Sequence, residues 1–133
     1  MSKRSDDELA RAWQELMSSY HRVSCVLDRA LETEHGITGS EFAVLEQLAH
    51  ARPDCSLKMH DLGEHVHVTQ SALSRLVARL ETDGLVERVM CVEDRRSVFA
   101  KLTPAGKELY GTARPTHREV LRTEASELAL TER

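Results

Sequence analysis

Aromatic residues, long apolar runs and paired cysteines are all scarce in this chain of 133 residues. Aromatic residues make up 4% of the sequence, which argues against a large sandwich-like core and leaves Leu, Ala and Val to fill the interior. No apolar run approaches membrane-spanning length, and the N-terminus lacks the apolar segment of a signal peptide. We therefore expect one compact domain in the cytoplasm, with no membrane partner.

Signals of catalysis are missing as well. The three cysteines, Cys25, Cys55 and Cys91, are an odd and widely spaced set, which suits a reducing compartment better than a disulfide framework. The sequence has no Gly-rich phosphate loop, nucleophile elbow or pair of catalytic acids. We expect neither an enzyme nor a cofactor, and no residue is assigned a catalytic role.

Histidines are the remaining candidates for metal ligands. A zinc site would draw on His60, His65 and His67 with Cys55 or Cys91, but no pair among them has the i, i+4 spacing of a ready site on a helix. Solvated or phosphate-facing histidines are the alternative, and we expect no metal.

The charge distribution matters more than the net charge of −4, which by itself argues against a nucleic-acid partner. Residues 56–107 hold eight Lys or Arg against seven Asp or Glu, whereas the rest holds ten against fifteen. The excess of acid therefore lies outside the central segment.

Apolar residues recur with helical period through most of the chain and alternate only near 85–102, which predicts a mainly helical protein with a small hairpin. We expect a long first helix from about Asp6 to Leu31, and a second helix capped by Thr38 or Ser40. A short third helix would span 56–66. Thr103-Pro104 opens a later helix that Pro115 should bend or interrupt.

The segment 68–85 carries the most specific local signals. Thr69 is a candidate N-cap, and Gly84 can take the left-handed conformation that stops a helix. An apolar stripe formed by Leu73, Leu76, Val77 and Leu80 must face a core. The other face presents short polar and cationic side chains that suit a DNA major groove. These are Gln70, Ser71, Ser74, Arg75, Ala78 and Arg79.

A short helix, a tight turn and this longer helix predict a helix-turn-helix, and the following hairpin would be a wing. The order of these parts, with the motifs in 73–88, 93–97 and 102–107, resembles the MarR family of bacterial transcription regulators. The motifs are Leu-Glu-x-Asp-Gly-Leu-Val-x-Arg, Asp-x-Arg and Leu-Thr-Pro-x-Gly.

The resemblance implies a mainly α, winged helix-turn-helix protein that dimerises and binds pseudo-palindromic operators in double-stranded DNA. Residues 6–35 and 104–133 would form dimerisation helices around a winged domain at 40–103, with the recognition helix at about 69–83 and the wing at about 85–102. Relatives continue through a last helix, so the end at Arg133 reflects either a shortened chain or dimerisation through fewer residues.

The resemblance also implies which residues contact DNA. Ser71, Ser74, Arg75 and Arg79 should meet the major groove, with Thr69 and Gln70 near phosphates. Arg96 should enter the minor groove, restrained by Asp94 and accompanied by Arg95. Two departures from the family pattern are His67 in the turn, which tolerates a left-handed backbone, and Gly63, which permits close helix crossing.

The family often binds a phenolic or aromatic acid effector that releases the operator. The candidates for such a cleft here are Trp13, Met17, Tyr20, His21 and Phe42. The alternative is that Trp13, Met17, Tyr20 and Phe42 belong to the core. Oxidant sensing through Cys25 is a further alternative, although the cysteine of the sensing branch would align near Gln14. A helical protein-interaction module without DNA contact is the competing functional class.

Overall fold

Helices dominate the architecture, as the periodicity predicts. A computed structural model describes residues 3–90, 96–124 and 126, and these residues form five helices and three strands. The elements are α1 (Asp6–His35), α2 (Gly39–Ala49), β1 (Ser56–Lys58), α3 (Met59–Val66), α4 (Gln70–Thr82), β2 (Val86–Met90), β3 (Val98–Leu102) and α5 (Pro104–Glu124). None of the described helices is both long and apolar enough to cross a membrane.

Local capping sets the ends of the first two helices. The Ser5 hydroxyl accepts from the Glu8 amide, and α1 ends at Gly36, whose φ of 71° places it in the left-handed region. The last helical residue, His35, lies four residues beyond the predicted end at Leu31. Thr38 caps α2 in a capping box, because its hydroxyl accepts from the Glu41 amide while the Glu41 carboxylate accepts from the Thr38 amide.

The sheet has three antiparallel strands in the order β1-β3-β2. The hairpin was predicted, and β3 has the expected bounds, but β1 was predicted as the start of α3. Ser56 pairs with Lys101 and Lys58 with Phe99, so β1 forms on a partner more than forty residues away. Three residues are too few to show alternation, and Cys55, at a φ of 58°, turns the chain just before the strand.

The core is aliphatic and lies where the helices meet the sheet. Its fully buried members include one aromatic ring, that of Phe42. The members with no exposed surface are Leu31, Val44, Leu45, Leu48, Leu62, Leu73, Val77, Leu80, Ala100 and Ala113. The C-terminal end of α1 packs on α5, where His35 Nε2 lies 2.8 Å from Thr116 Oγ1.

Pro115 does not interrupt α5, which is continuous from Pro104 to Glu124. The prediction of an interruption was wrong. A proline in a helix removes one amide donor, here the usual partner of the Gly111 carbonyl, and packing against α1 compensates for that loss. Of the predicted C-terminal dimerisation region, residues 125 and 127–133 lie outside those that the structure describes.

Gly106 occupies the tightest junction of the fold. A Cβ added there would overlap the Leu85 carbonyl oxygen and lie 2.7 Å from Leu102 Cδ1. Nearby, the Thr103 hydroxyl accepts from the Gly106 amide at 3.0 Å and donates to the Gly84 carbonyl at 2.7 Å. The end of α4, the start of β2 and the start of α5 therefore meet at one point.

Gly106→Ala should destabilise the fold by about 1–3 kcal/mol, because the backbone at Leu85 must move to admit a methyl group. Gly111→Ala in the same helix is the matched control. A Cβ at Gly111 meets nothing within 4 Å, so alanine should stabilise the helix by up to about 1 kcal/mol. Urea unfolding of both variants measures the difference, and equal effects would contradict the close approach at Gly106.

Candidate nucleic-acid interface

Both ends of α4 are specified locally, as predicted. The Thr69 hydroxyl accepts from the Ala72 amide at 3.2 Å. At the other end Gly84 has a φ of 75°, the Gly84 amide donates to the Glu81 carbonyl, and the Leu85 amide donates to the Leu80 carbonyl at 2.9 Å. These two bonds are those of a Schellman stop, so the length of α4 is set within the helix and its flanks.

The two faces of α4 divide as the sequence predicts. Leu73, Val77 and Leu80 are fully buried. The predicted DNA-facing residues are exposed, except that Ser74 is half-buried. Because the apolar stripe fixes the rotation of the helix against the core, the polar and cationic side chains share one solvent-facing side.

The turn before α4 brings α3 into close contact with it. His67 adopts the left-handed conformation, with φ 59° and ψ 43°, as the sequence argument allowed. A Cβ at Gly63 would overlap the Gln70 side-chain amide and lie 3.4 Å from Leu73 Cδ2, which supports the prediction of a close helix crossing. The Gln70 amide itself donates to the His60 carbonyl at 3.4 Å, so α3 orients the first side chain of α4.

Arg88 on β2 links the hairpin to the middle of α4. Its Nε lies 2.8 Å from Glu81 Oε1, and its Nη2 donates to the Ser74 carbonyl at 3.1 Å and contacts the Ser74 hydroxyl at 3.5 Å. Arg88 ends one of the sequence motifs, but it is not among the contact residues predicted from the sequence. Its position at the end of the Leu-Glu-x-Asp-Gly-Leu-Val-x-Arg motif is the sequence feature that could have identified it as part of the site.

Arg79 makes a second link, to α2. Its Nε lies 3.7 Å from Oε2 of Glu41, a side chain that is 2% exposed, whereas the Arg79 side chain is 69% exposed. Arg79 therefore lies on the outer face of α4, as predicted, and its pairing with Glu41 was not predicted from the sequence.

The hairpin pairs Val86 with Leu102 at its base and Met90 with Val98 near its tip. Arg96 lies just before β3 with an exposed side chain. The predicted wing residues Asp94 and Arg95, and also Cys91, lie outside the described residues. Their roles remain predictions.

Among the described residues, one group could offer three metal ligands. Ligand atoms of His60, Asp61 and Glu64 lie within 4.8 Å of one another. His60 Nε2 and Glu64 Oε1 are 3.3 Å apart on side chains that are 73% and 70% exposed, which is the arrangement of an ordinary i, i+4 ion pair on a helix. The pairing of His60 with Glu64 was not predicted, because only histidine and cysteine were considered as zinc ligands in the sequence.

The predicted effector residues do not form one cleft. Phe42 is buried in the core, where its ring stacks on His117 at 4.3 Å between centroids. Trp13, Met17 and Tyr20 are exposed on α1, so the alternative that they belong to the core was wrong for these three.

His21 is also exposed, and its Nε2 lies 3.7 Å from the Cys25 sulfur one turn away. Nothing else among the described contacts of Cys25 indicates oxidant sensing.

A cavity of about 330 Å³ does lie between α1 and the winged domain. Tyr20 is the one predicted effector residue among those that line it. Its other lining residues include Ser24, Asp28, Ser40, Ala43 and His117.

A polar cluster beside the cavity determines the state of His117. Burial lowers the pKa of His117, and the charge of Arg118 lowers it further. Arg118 Nη1 donates to His117 Nδ1 at 2.7 Å, which leaves the proton of the neutral ring on Nε2. Burial would raise the pKa of Glu46, but hydrogen bonds from Arg118 and Tyr110 and the charge of Arg118 outweigh it and lower that pKa.

A short α3, a left-handed turn, a capped α4 and the β2–β3 hairpin together define a winged helix-turn-helix. The model of the MarR family matches residues 35–97. The crystal structure of Sco3205, a MarR family transcriptional regulator from Streptomyces coelicolor in complex with DNA, is similar with a TM-score of 0.81 and 31% identity, over 93% of this chain and 77% of that one. This chain belongs to the MarR family.

Curated relatives agree with that assignment. The HTH-type transcriptional regulator MhqR of Bacillus subtilis is 31% identical over 102 residues, which are 77% of this chain and 68% of that protein. The homoprotocatechuate degradative operon repressor of Escherichia coli is 29% identical over 94 residues, and the match spans 62% of its length. These relatives are transcriptional regulators rather than enzymes.

Proposed function

We propose that this protein is a transcriptional regulator that binds a pseudo-palindromic operator in double-stranded DNA as a homodimer. The observation that carries the proposal is the solvent-facing side of α4, which is polar near its start and cationic farther on. The similar Streptomyces coelicolor regulator was crystallised with DNA, which supports the same role for this fold. Such a protein acts in the cytoplasm.

Each group of predicted contact residues has a proposed role. Ser71, Ser74, Arg75 and Arg79 would read base edges in the major groove, because hydroxyl and guanidinium groups pair with purine edges. Thr69 and Gln70, at the N-terminus of α4, would lie near phosphates. Arg96 would enter the minor groove, restrained by Asp94 and accompanied by Arg95.

Repression is the proposed direction of regulation. The Escherichia coli relative carries the word repressor in its name, and a dimer seated on an operator blocks the DNA that it covers. The proposal of repression does not depend on which residues contact the DNA bases.

Arg75→Ala should weaken operator binding by roughly 1–3 kcal/mol and weaken binding to a scrambled duplex by less, because a base contact is lost only on the operator. Mobility shifts at one salt concentration measure both, with Arg29→Ala on α1 as a control for the loss of an exposed cation. Equal losses on the two duplexes would make Arg75 a phosphate contact. No binding by the wild-type protein to any duplex would favour a protein-interaction module.

The homodimer is proposed from the apolar side of α1. Leu9, Trp13, Leu16, Met17 and Tyr20 are between 43% and 63% exposed, although each is a large apolar or aromatic side chain. They recur at three- and four-residue steps, so they form one stripe along the N-terminal half of the helix. A second copy of α1 is the occupant that supplies a matching stripe, and a two-fold axis would also give half-sites about one helical turn of DNA apart.

Leu16→Glu should split the dimer, because it buries a charge in the centre of the stripe. Light scattering at micromolar concentration should give about twice 15.0 kDa for the wild type and the single mass for the variant. Ser18→Glu, on another side of the same helix, should leave the dimer intact. A monomeric wild-type protein would contradict the proposal.

A small phenolic or aromatic acid is the proposed effector, bound in the cavity between α1 and the winged domain. His117, whose neutral ring carries its proton on Nε2, and Tyr20 both line this cavity. An N–H donor, a hydroxyl and an aromatic ring suit the oxygen atoms and the ring of such an acid. Occupation would separate α1 from α4 and change the spacing of the two recognition helices.

Ala43→Phe should fill the cavity and remove the response to effector while leaving operator binding without effector within about twofold. Salicylate is the probe, and the measurement is the midpoint of a mobility shift with and without it. Ala105→Phe, at an exposed position outside the cavity, should keep the wild-type response. A salicylate response that survives Ala43→Phe would place the effector site elsewhere.

A further inference from the structure

We propose that Glu41 is a positioning residue for DNA recognition, acting through Arg79. Glu41 lies in the first turn of α2, where its side chain is buried, and it lines the same cavity as Arg79. Its two carboxylate oxygens serve different elements. Oε1 accepts from the Thr38 amide at 2.9 Å and closes the capping box, while Oε2 lies 3.7 Å from Arg79 Nε.

Burial makes the pairing with Arg79 consequential. A carboxylate that is 2% exposed has lost its hydration and depends on neighbouring donors and cations. The Thr38 amide supplies one donor but no charge. Arg79 supplies the opposite charge, and it does so from a recognition helix that is 38 residues away in the chain.

The geometry leaves Arg79 able to contact DNA. The carboxylate faces the Nε edge of the guanidinium, and the Arg79 side chain remains 69% exposed. An arginine reads guanine with two parallel N–H groups, so a fixed orientation of the outer edge favours that contact. Restraint by Glu41 also removes side-chain freedom before DNA arrives, so less entropy is lost on binding.

The charge of the Glu41 carboxylate also affects the binding to DNA that is independent of base sequence. Attraction between arginines and phosphates acts on every DNA sequence alike. A carboxylate beside Arg79 weakens that attraction, because the pair carries no net charge. Glu41 therefore strengthens the base contact of Arg79 and weakens its phosphate contact, and both effects raise the ratio of operator to random binding.

This inference rests on the proposed DNA contact of Arg79, and a double-mutant cycle tests the two separately. Glu41→Gln retains an oxygen for the Thr38 amide but removes the charge that holds Arg79. We expect tighter binding to random duplex, with a slope of log affinity against log salt steeper by up to about 0.9 per subunit. The ratio of operator to random affinity should fall about three- to tenfold, and the same substitution in an Arg79→Ala background should change neither quantity.

Glu64→Gln is the matched control, since it removes an exposed carboxylate on α3. Any effect that it has should be the same with and without Arg79. If Glu41→Gln does not fold, Arg79→Lys keeps a positive charge beside Glu41 but replaces the planar guanidinium with a single ammonium group, and it should lower the ratio without changing the salt slope.

Three results would overturn the inference. An unchanged ratio and salt slope in Glu41→Gln would remove any role of Glu41 in recognition. An equal change with and without Arg79 would show that Glu41 acts only through α2. If Arg79→Ala alone leaves operator and random binding unchanged, the proposed DNA contact of Arg79 is wrong as well. If Arg79→Ala weakens DNA binding but shows no coupling to Glu41, only the positioning role is refuted.

Discussion

The approach of Gly106 to the Leu85 carbonyl is the constraint on which the winged domain depends. Thr103 donates to the carbonyl of Gly84 and caps α5, while Gly84 itself ends α4. The recognition helix, the hairpin and α5 thus share one junction in which no side chain fits at position 106. Because these close contacts join the end of α4 to the start of α5, the orientation of α4 is coupled to α5, the helix that packs on α1.

A second principle is that side chains of the recognition helix are held by other elements. The Gln70 amide bonds to α3, Arg79 pairs with α2, and Ser74 is bonded by Arg88 of β2. Each contact reduces the conformational freedom of a residue that faces the proposed DNA, so the interface is partly ordered in the absence of DNA. Each pairing with a carboxylate also reduces the net positive charge of this face, which favours selectivity over affinity for any duplex.

The helix α1 has two different environments along its length. Its C-terminal end is packed, with Leu31 fully buried and His35 in contact with Thr116 of α5. Its N-terminal half exposes Trp13 and Tyr20 to solvent. The same helix can therefore serve the core, the cavity beside His117 and the proposed dimer, and these three regions are adjacent along it.

The amino-acid sequence by itself determined the features that depend on neighbouring residues. Thr69, Gly84 and the Leu73–Val77–Leu80 stripe predicted the bounds and the rotation of α4, because caps and helical periodicity involve residues within a few positions of each other. Tertiary structure alone decided β1, the stacking of Phe42 on His117, and the pairing of Glu41 with Arg79. These contacts join residues distant in the chain, and their energies depend on burial and approach, which no local pattern encodes.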